Sequence, residues 1–363
     1  MKKVITLVVL LLLLAFSCGQ ETRVINVVHE DGSITRTVII KADAKDYLQF
    51  DRMAVPIDST WQIRMDTLPG KINGEGDDGD SILYLEATKH FESVDEINQT
   101  YTHDSSANKR FSRKAAFAKR FRWFTTVYRY SETVGRIYQL EVPVANYLST
   151  EEQEFFNLPN SVKSALLTGK DSTHYHALSD SLEDHFDVYF WNTSIRQWVS
   201  IFFDHFGDDP NLTMTKSDML AKEEEVMSYL IENRFGENVD SIFLVSFGQP
   251  FYDAFKTEID STTALLEVAS EPFFESLGYD MEIRMPGKVI GTNGYLLEKD
   301  TVDGVGQGLL WTVEGSRFLT EDYEMWVESR VNNYSLWVVT GIFIGFISIG
   351  LVRLKRKSSV DSD

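Results

Sequence analysis

The chain has 363 residues, a formal net charge of −20, 43% hydrophobic and 13% aromatic residues, and one cysteine. That much apolar and aromatic content argues for a packed core and against intrinsic disorder. The acidic balance disfavours nucleic acid, whose backbone calls for clustered Lys and Arg, and a lone cysteine excludes an internal disulfide.

The N-terminus begins Met1-Lys2-Lys3, continues with an apolar run over residues 4–14, and places Ala15-Phe16-Ser17 before Cys18. A positive start, a short apolar stretch and small residues are the order of an export signal. With Cys18 next, the segment resembles the lipobox of bacterial lipoproteins. The resemblance implies a signal peptide over 1–17 and a thioether-linked lipid on Cys18. An uncleaved signal anchor, or a signal peptide with an incidental cysteine, are the alternatives. Removing Lys2 and Lys3 and setting aside the net-positive tail from Arg353 leaves a body of about −24, a charge that keeps it from lying flat on anionic headgroups.

Residues 24–40 hold two β-branched runs around Asp31-Gly32, a strong hairpin signal. Residues 61–65 alternate and predict a third strand. The Gly- and Asp-rich stretch over 68–81 does not have the spacing of an EF-hand and reads as an acidic, solvated turn. Residues 82–94 predict a strand or short helix, and 99–112 a polar loop. Lys109, Arg110, Arg113, Lys114, Lys119, Arg120 and Arg122 form a basic stretch interleaved with Phe111, Phe117, Phe121 and Trp123. Two roles fit it: contact with phosphate headgroups or an acidic partner, or pairing with the body's own carboxylates. The second is favoured in so acidic a chain. Residues 122–140 predict one or two long strands, ended by Pro143.

Ser149 followed by Glu151 and Glu152 predicts a helix start. From Thr173 to Phe206 apolar residues recur at steps of three and four, until Gly207-Asp208-Asp209-Pro210 breaks the pattern. A second helix is expected from Ser217 to Gly236, and shorter ones over 251–256 and 262–268. Strands are expected again over 279–294, 309–313 and 321–331.

Residues 336–352, LWVVTGIFIGFISIGLV, are uncharged and followed by Arg353, Lys355, Arg356 and Lys357. The run is about long enough to cross a bilayer core, and the basic cluster predicts a cytoplasmic tail with the body on the outer side of an inner or sole plasma membrane. Gly341 and Gly345 form a GxxxG pair, which permits close packing against a partner helix or a second copy.

For catalysis, His174, His176 and His185 invite a metal reading. His176, Asp180, Asp184 and Asp187 share one helix face, but a metal would need that face buried and convergent. An exposed acidic face is the favoured reading. The sequence holds no GxSxG, HExxH or GxxxxGK[ST], and no cofactor is expected.

The lipobox, the hairpin at Asp31 and Gly32, and MPGKVIGTNG followed by WTV and a final strand before the membrane helix resemble the LppM-like family of bacterial lipoproteins. The match covers roughly 24–66 and 279–354, through Asp31, Gly32, Pro286, Gly287, Lys288, Asn293, Gly294 and Trp311, residues of turn and packing character. It implies an envelope protein that handles or senses lipid, with residues from about 90 to 275 as an insertion the family pattern lacks. The resulting expectation is an α+β fold. It has a signal peptide (1–17), a lipid-anchored β-rich part (18–148), a mainly helical insert (149–275), a second β-rich part that pairs with the first (276–334), a transmembrane helix (335–354) and a cytoplasmic tail (355–363). The leading functional expectation is a non-enzymatic envelope lipoprotein that binds a lipid, an apolar ligand or a membrane partner. The alternatives are a membrane-surface metal- or carboxylate-dependent hydrolase using residues 174–187, and a structural subunit of an envelope complex, in which the membrane helix could form a homodimer.

Overall fold

The computed structural model describes residues 21–43, 55–69, 81–102, 112–232, 244–275, 278–297 and 307–360. Cys18, Lys109, Arg110, Phe111 and residues 70–80 of the acidic turn lie outside the described residues.

Strands β1 (Glu21–Val28) and β2 (Ile34–Asp43) pair antiparallel around the Asp31-Gly32 turn. Gly32 takes φ +98°, a region that costs glycine little, and the Asp31 carboxylate accepts from the Ser33 amide at 3.0 Å and its hydroxyl at 2.7 Å. β1 alternates buried and half-buried positions, the period of a strand with one face on the core. β3 (Gln62–Pro69) and β4 (Ser81–Phe91) form a second hairpin beside β2. On the other edge of β1, with no intervening strand, lies β7 (Tyr279–Arg284), running parallel to it. β10 (Gly308–Val313) and the short β9 (Tyr295–Leu296) complete a seven-stranded sheet of order β3-β4-β2-β1-β7-β10-β9.

A second sheet has the order β5-β6-β11-β8, from β5 (Arg113–Arg122), β6 (Thr125–Val134), β8 (Lys288–Thr292) and β11 (Tyr323–Asn332). One apolar core joins the two: Val24, Val38, Met281 and Trp311 from the first sheet and Tyr128, Tyr130, Met325 and Val327 from the second. Both chain ends therefore build one β module. Between β6 and β7 the chain is mainly helical: α2 (Thr150–Asn157), α3 (Asn160–Leu167), α4 (Ser172–Phe206), α5 (Lys216–Leu220), α6 (Glu223–Glu232) and α7 (Gln249–Glu275). Trp198 and Phe202 of α4 pack on Phe255 and Ile259 of α7. Tyr138 ties this part to its neighbours, its hydroxyl lying 3.1 Å from Ser194 Oγ and 2.9 Å from Ser270 Oγ. The fold is α+β.

Several local expectations are corrected. Residues 99–102, expected in a loop, belong to α1 (Val94–Thr102), because Ile97 is buried in the core and Asn98 bonds both backbone groups of Ala115, at 2.9 and 2.7 Å. The helix expected from Ser217 is two helices, the first opened by a capping box between Thr215 and Asp218. The two expected within residues 251–268 are one, locally non-helical at Phe255. Within residues 122–140 one long strand forms, β6, as expected, separated from the end of β5 at Arg122 by a tight turn at Trp123-Phe124.

Candidate functional site at the foot of the second sheet

The acidic face of α4 does not converge. His176, Asp180, Asp184 and Asp187 are exposed, and no group of three His, Cys, Asp or Glu among the described residues could hold a metal ion. The neighbouring histidines join helices instead. His174 Nε2 lies 3.1 Å from Glu151, and His185 Nδ1 lies 2.7 Å from Glu152. Glu152 is buried and closes the capping box of α2 with Ser149. Burial raises its pKa, but hydrogen bonds from Ser181, Ser149 and His185 outweigh that and hold it at about 2. This is the chemistry of a structural carboxylate.

A cavity of about 380 Å³ opens among α4, α5 and α6, walled by Asn192, Leu220, Ala221, Glu223, Glu224 and Met227. It lies within the helical part, and its acidic wall does not suit an apolar guest.

Pro286, Gly287 and Lys288 lie where the chain crosses from β7 to β8, and Asn293 and Gly294 where it leaves β8 for β9, with Trp311 packed at this second crossing. Trp311 of β10 lies over Gly294, where an added Cβ would sit 2.3 Å from the indole. Its Nε1 donates to Asn293 Oδ1 at 3.2 Å, and Asn293 in turn bonds the Trp326 amide at 2.9 Å and the Glu324 carbonyl at 2.6 Å. One side chain thereby fixes β10 against β11. Gly287 has φ +76° and lies so close to β11 that a Cβ would meet the Arg330 carbonyl at 2.4 Å. Pro286 directly precedes that glycine. Lys288 is exposed on the outer face of β8.

Within the core sits a buried polar cluster. The guanidinium of Arg36 bonds Asn26 Oδ1 at 2.6 Å and Glu132 Oε2 at 2.7 Å, and the Tyr101 hydroxyl bonds the same carboxylate. Burial works against charge on Arg36, but Glu132 and the phenols of Tyr101 and Tyr130 outweigh it and hold its pKa well up. The pair spans the two sheets and is closed to solvent.

The arrangement with an open, chemically distinct surface lies at the end of the second sheet. β11 runs into α8 (Tyr334–Val360), whose window Tyr334–Leu351 has a mean hydropathy of 1.9, is unburied, and is long and apolar enough to cross a membrane. The β5–β6 turn docks on the first turns of this helix. Asn333 Nδ2 donates to the Arg122 carbonyl at 2.9 Å, and the Asn333 amide to the Phe124 carbonyl at 2.9 Å. The Phe124 ring lies 4.1 Å from that of Trp337, and Trp123 Nε1 donates to Thr340 Oγ1 at 2.7 Å. Phe121, Trp123, Tyr334 and Trp337 are exposed around this junction.

On the outer face of the same end, Arg120 of β5 is in register with Val127 of β6, Val127 with Arg330 of β11, and Arg330 with Lys288 of β8. Directly opposed residues of antiparallel strands share a face, so three cations lie in one row, with Arg122 and Asn332 flanking Thr125 in the next row toward the helix. All four basic residues are exposed, and none has an acidic partner among the described residues. Pairing with the body's own carboxylates, the favoured reading of the basic stretch, is thus not seen for Arg120 and Arg122 among the described residues. Lys119 follows a third course: its ammonium donates to the Glu30 carbonyl at 2.8 Å. Sequence reading noted Phe121, Trp123, Arg120 and Arg122 but missed Arg330, Asn333, Trp337 and Thr340. The alternation of basic and aromatic residues was the available signal.

No family model matches the chain, and no curated protein matches it. The chain is similar to the NMR structure of the folded domain of the Mycobacterium tuberculosis LppM protein, at 7% sequence identity and a TM-score of 0.25, over 87% of this chain and 92% of that one. The likeness is weak and carries no argument about fold or function.

Proposed function

We propose that the protein is a non-enzymatic cell-envelope lipoprotein. In this reading Cys18 bears the lipid, α8 crosses the plasma membrane, the tail from Arg353 is cytoplasmic, and the body stands on the outer side to engage lipid or a membrane partner. The observation that carries the reading is the docking of the β5–β6 turn on α8. A body hydrogen-bonded to the first turns of an apolar helix is seated at a bilayer surface, with aromatic rings at the level where Trp and Tyr concentrate in membrane proteins. The hydrolase alternative loses its support with the dispersed, exposed α4 face. The assembly alternative keeps one observation: Gly341 and Gly345 are open, with nothing within 4 Å of an added Cβ at either.

The test is labelling of the full-length chain in intact cells with a membrane-impermeant maleimide. Ser217→Cys in the body is expected to react and Ser362→Cys in the tail to react only after the membrane is opened. Mass analysis of the N-terminal peptide is expected to show a diacylglyceryl group on Cys18. Labelling of the tail in intact cells, with a protected body, would reverse the proposed orientation.

A further inference from the structure

We propose that the row formed by Arg120, Arg330 and Lys288, with Arg122 below it, is a docking surface for the headgroups of anionic phospholipids in the leaflet from which α8 enters the membrane. This deepens the proposed function and rests on α8 being inserted.

Three observations carry it. The first is charge. Arg330 and Lys288 are directly opposed on neighbouring strands, where strands lie about 4.8 Å apart. Like charges so placed destabilise a sheet, and no described acid forms an ion pair with either of them, Glu328 on the same face being paired with Arg129. An anion from outside relieves the repulsion, and guanidinium groups suit phosphate because they can donate two bonds to it. The contrast with Arg129, two residues from Val127 on β6, is instructive. That arginine is satisfied within the protein, by Glu324 at 3.5 Å, Glu328 at 3.9 Å and the face of Trp326 at 4.7 Å.

The second is depth. Thr340 lies about 9 Å along the helix axis from Tyr334, at about 1.5 Å per residue. The Trp123 indole reaches that level while the backbone of its turn stays level with Asn333. An indole dipping that far spans the headgroup zone, which is roughly 5–7 Å thick on each side of the hydrocarbon core. The third is continuity. Arg330 precedes Asn333 by three residues, about 10 Å of strand, and Arg122 is bonded through its carbonyl to Asn333. The basic row is thus held beside the point of entry by the same contacts that seat the turn. The body's overall acidity does not oppose this, because salt screens charges beyond about 10 Å while the row lies at the surface itself. The expectation that the body stands clear of anionic headgroups therefore does not extend to this end of the second sheet.

The experiment is hydrogen–deuterium exchange on the full-length protein in nanodiscs of phosphatidylcholine alone or mixed in about equal parts with phosphatidylglycerol. Peptides spanning 118–126 and 327–333 are expected to exchange about fivefold more slowly in the anionic discs, about 1 kcal/mol at 1.4 kcal/mol per decade. The triple variant Arg120→Gln/Arg122→Gln/Arg330→Gln should lose that difference while remaining in the discs. Lys170→Gln/Lys216→Gln, a control on the helical part, should keep it. Equal exchange in the two disc types, or protection retained by the triple variant, overturns the headgroup surface and leaves the membrane reading intact. A chain that does not co-purify with the discs overturns the membrane reading and this inference with it.

Discussion

Trp123 and Thr340, 217 residues apart, are joined by a hydrogen bond of 2.7 Å that ties the turn of one hairpin to the second turn of the apolar helix. Removing either partner should loosen the turn. Trp123→Phe and Thr340→Val are each expected to raise exchange at the amides of residues 123–126, and the double variant to do little more than either alone. The expected coupling is about 0.5–1.5 kcal/mol. A coupling near zero, measured as a double-mutant cycle in detergent, would show that the bond does not hold the turn.

The ion pair of Arg36 and Glu132 is the costliest contact to break in the core. Both side chains are 1% exposed. Glu132→Ala strands a guanidinium away from water and should lower stability by about 3–5 kcal/mol. Replacing both, as Arg36→Met with Glu132→Leu, should cost far less than that, since no charge is left unpaired. Chemical unfolding of the parent chain and these two variants distinguishes the two outcomes.

Acid should weaken the junction of α2 and α4. The Glu152 carboxyl is held at about 2 in the folded chain against an ordinary 4.5. Its contribution is therefore complete above about pH 4.5 and falls away as the pH drops toward 2. Glu152→Gln should flatten that part of the stability–pH curve and, by leaving the buried cap and His185 poorly matched, cost about 1–2 kcal/mol at neutral pH. An unchanged slope between those values in the variant would assign the acid sensitivity elsewhere.

Gly294→Ala should expel Trp311 from its seat, because the added methyl would overlap the indole. Overpacking of this kind costs about 1–3 kcal/mol. The measurement is the near-ultraviolet dichroism of the full chain, with a loss of the tryptophan band expected before any loss of far-ultraviolet signal. Gly287→Ala should be at least as damaging, since its positive φ adds backbone strain to the close approach of Arg330.

Local chemistry made much of the fold legible. Asp31-Gly32 specifies its turn by side-chain bonding and a positive φ, and Ser149 with Glu152 starts its helix through bonds within four residues. The β, then helical, then β order follows from a change in apolar period from two to between three and four. The foot of the second sheet was legible only in fragments. Periodicity places Arg120 and Lys288 each on a face of its own strand, but the row exists only because β5, β6, β11 and β8 lie side by side, and no residue of β5 encodes its distance from β8. Arg120 and Arg122 were accordingly assigned to carboxylates of the body by average charge, a quantity that says nothing about which face an acid occupies. Residues 99–102 show the converse limit: a polar stretch becomes helix because Ile97, just before it, has a core to enter.

The parallel pairing of β1 with β7 has a consequence for how the chain is made. Asn26 and Met281, which touch across that pair, are 255 residues apart. A chain delivered N-terminus first has β1 and β2 in hand early, while β1 keeps a raw hydrogen-bonding edge until β7 follows. Such an edge is a template for other chains, and closure over so long a separation is slow. The period of greatest danger from aggregation is therefore the synthesis of the helical segment. Truncation anywhere before Tyr279 would leave β1 without its parallel neighbour and expose it as an edge strand.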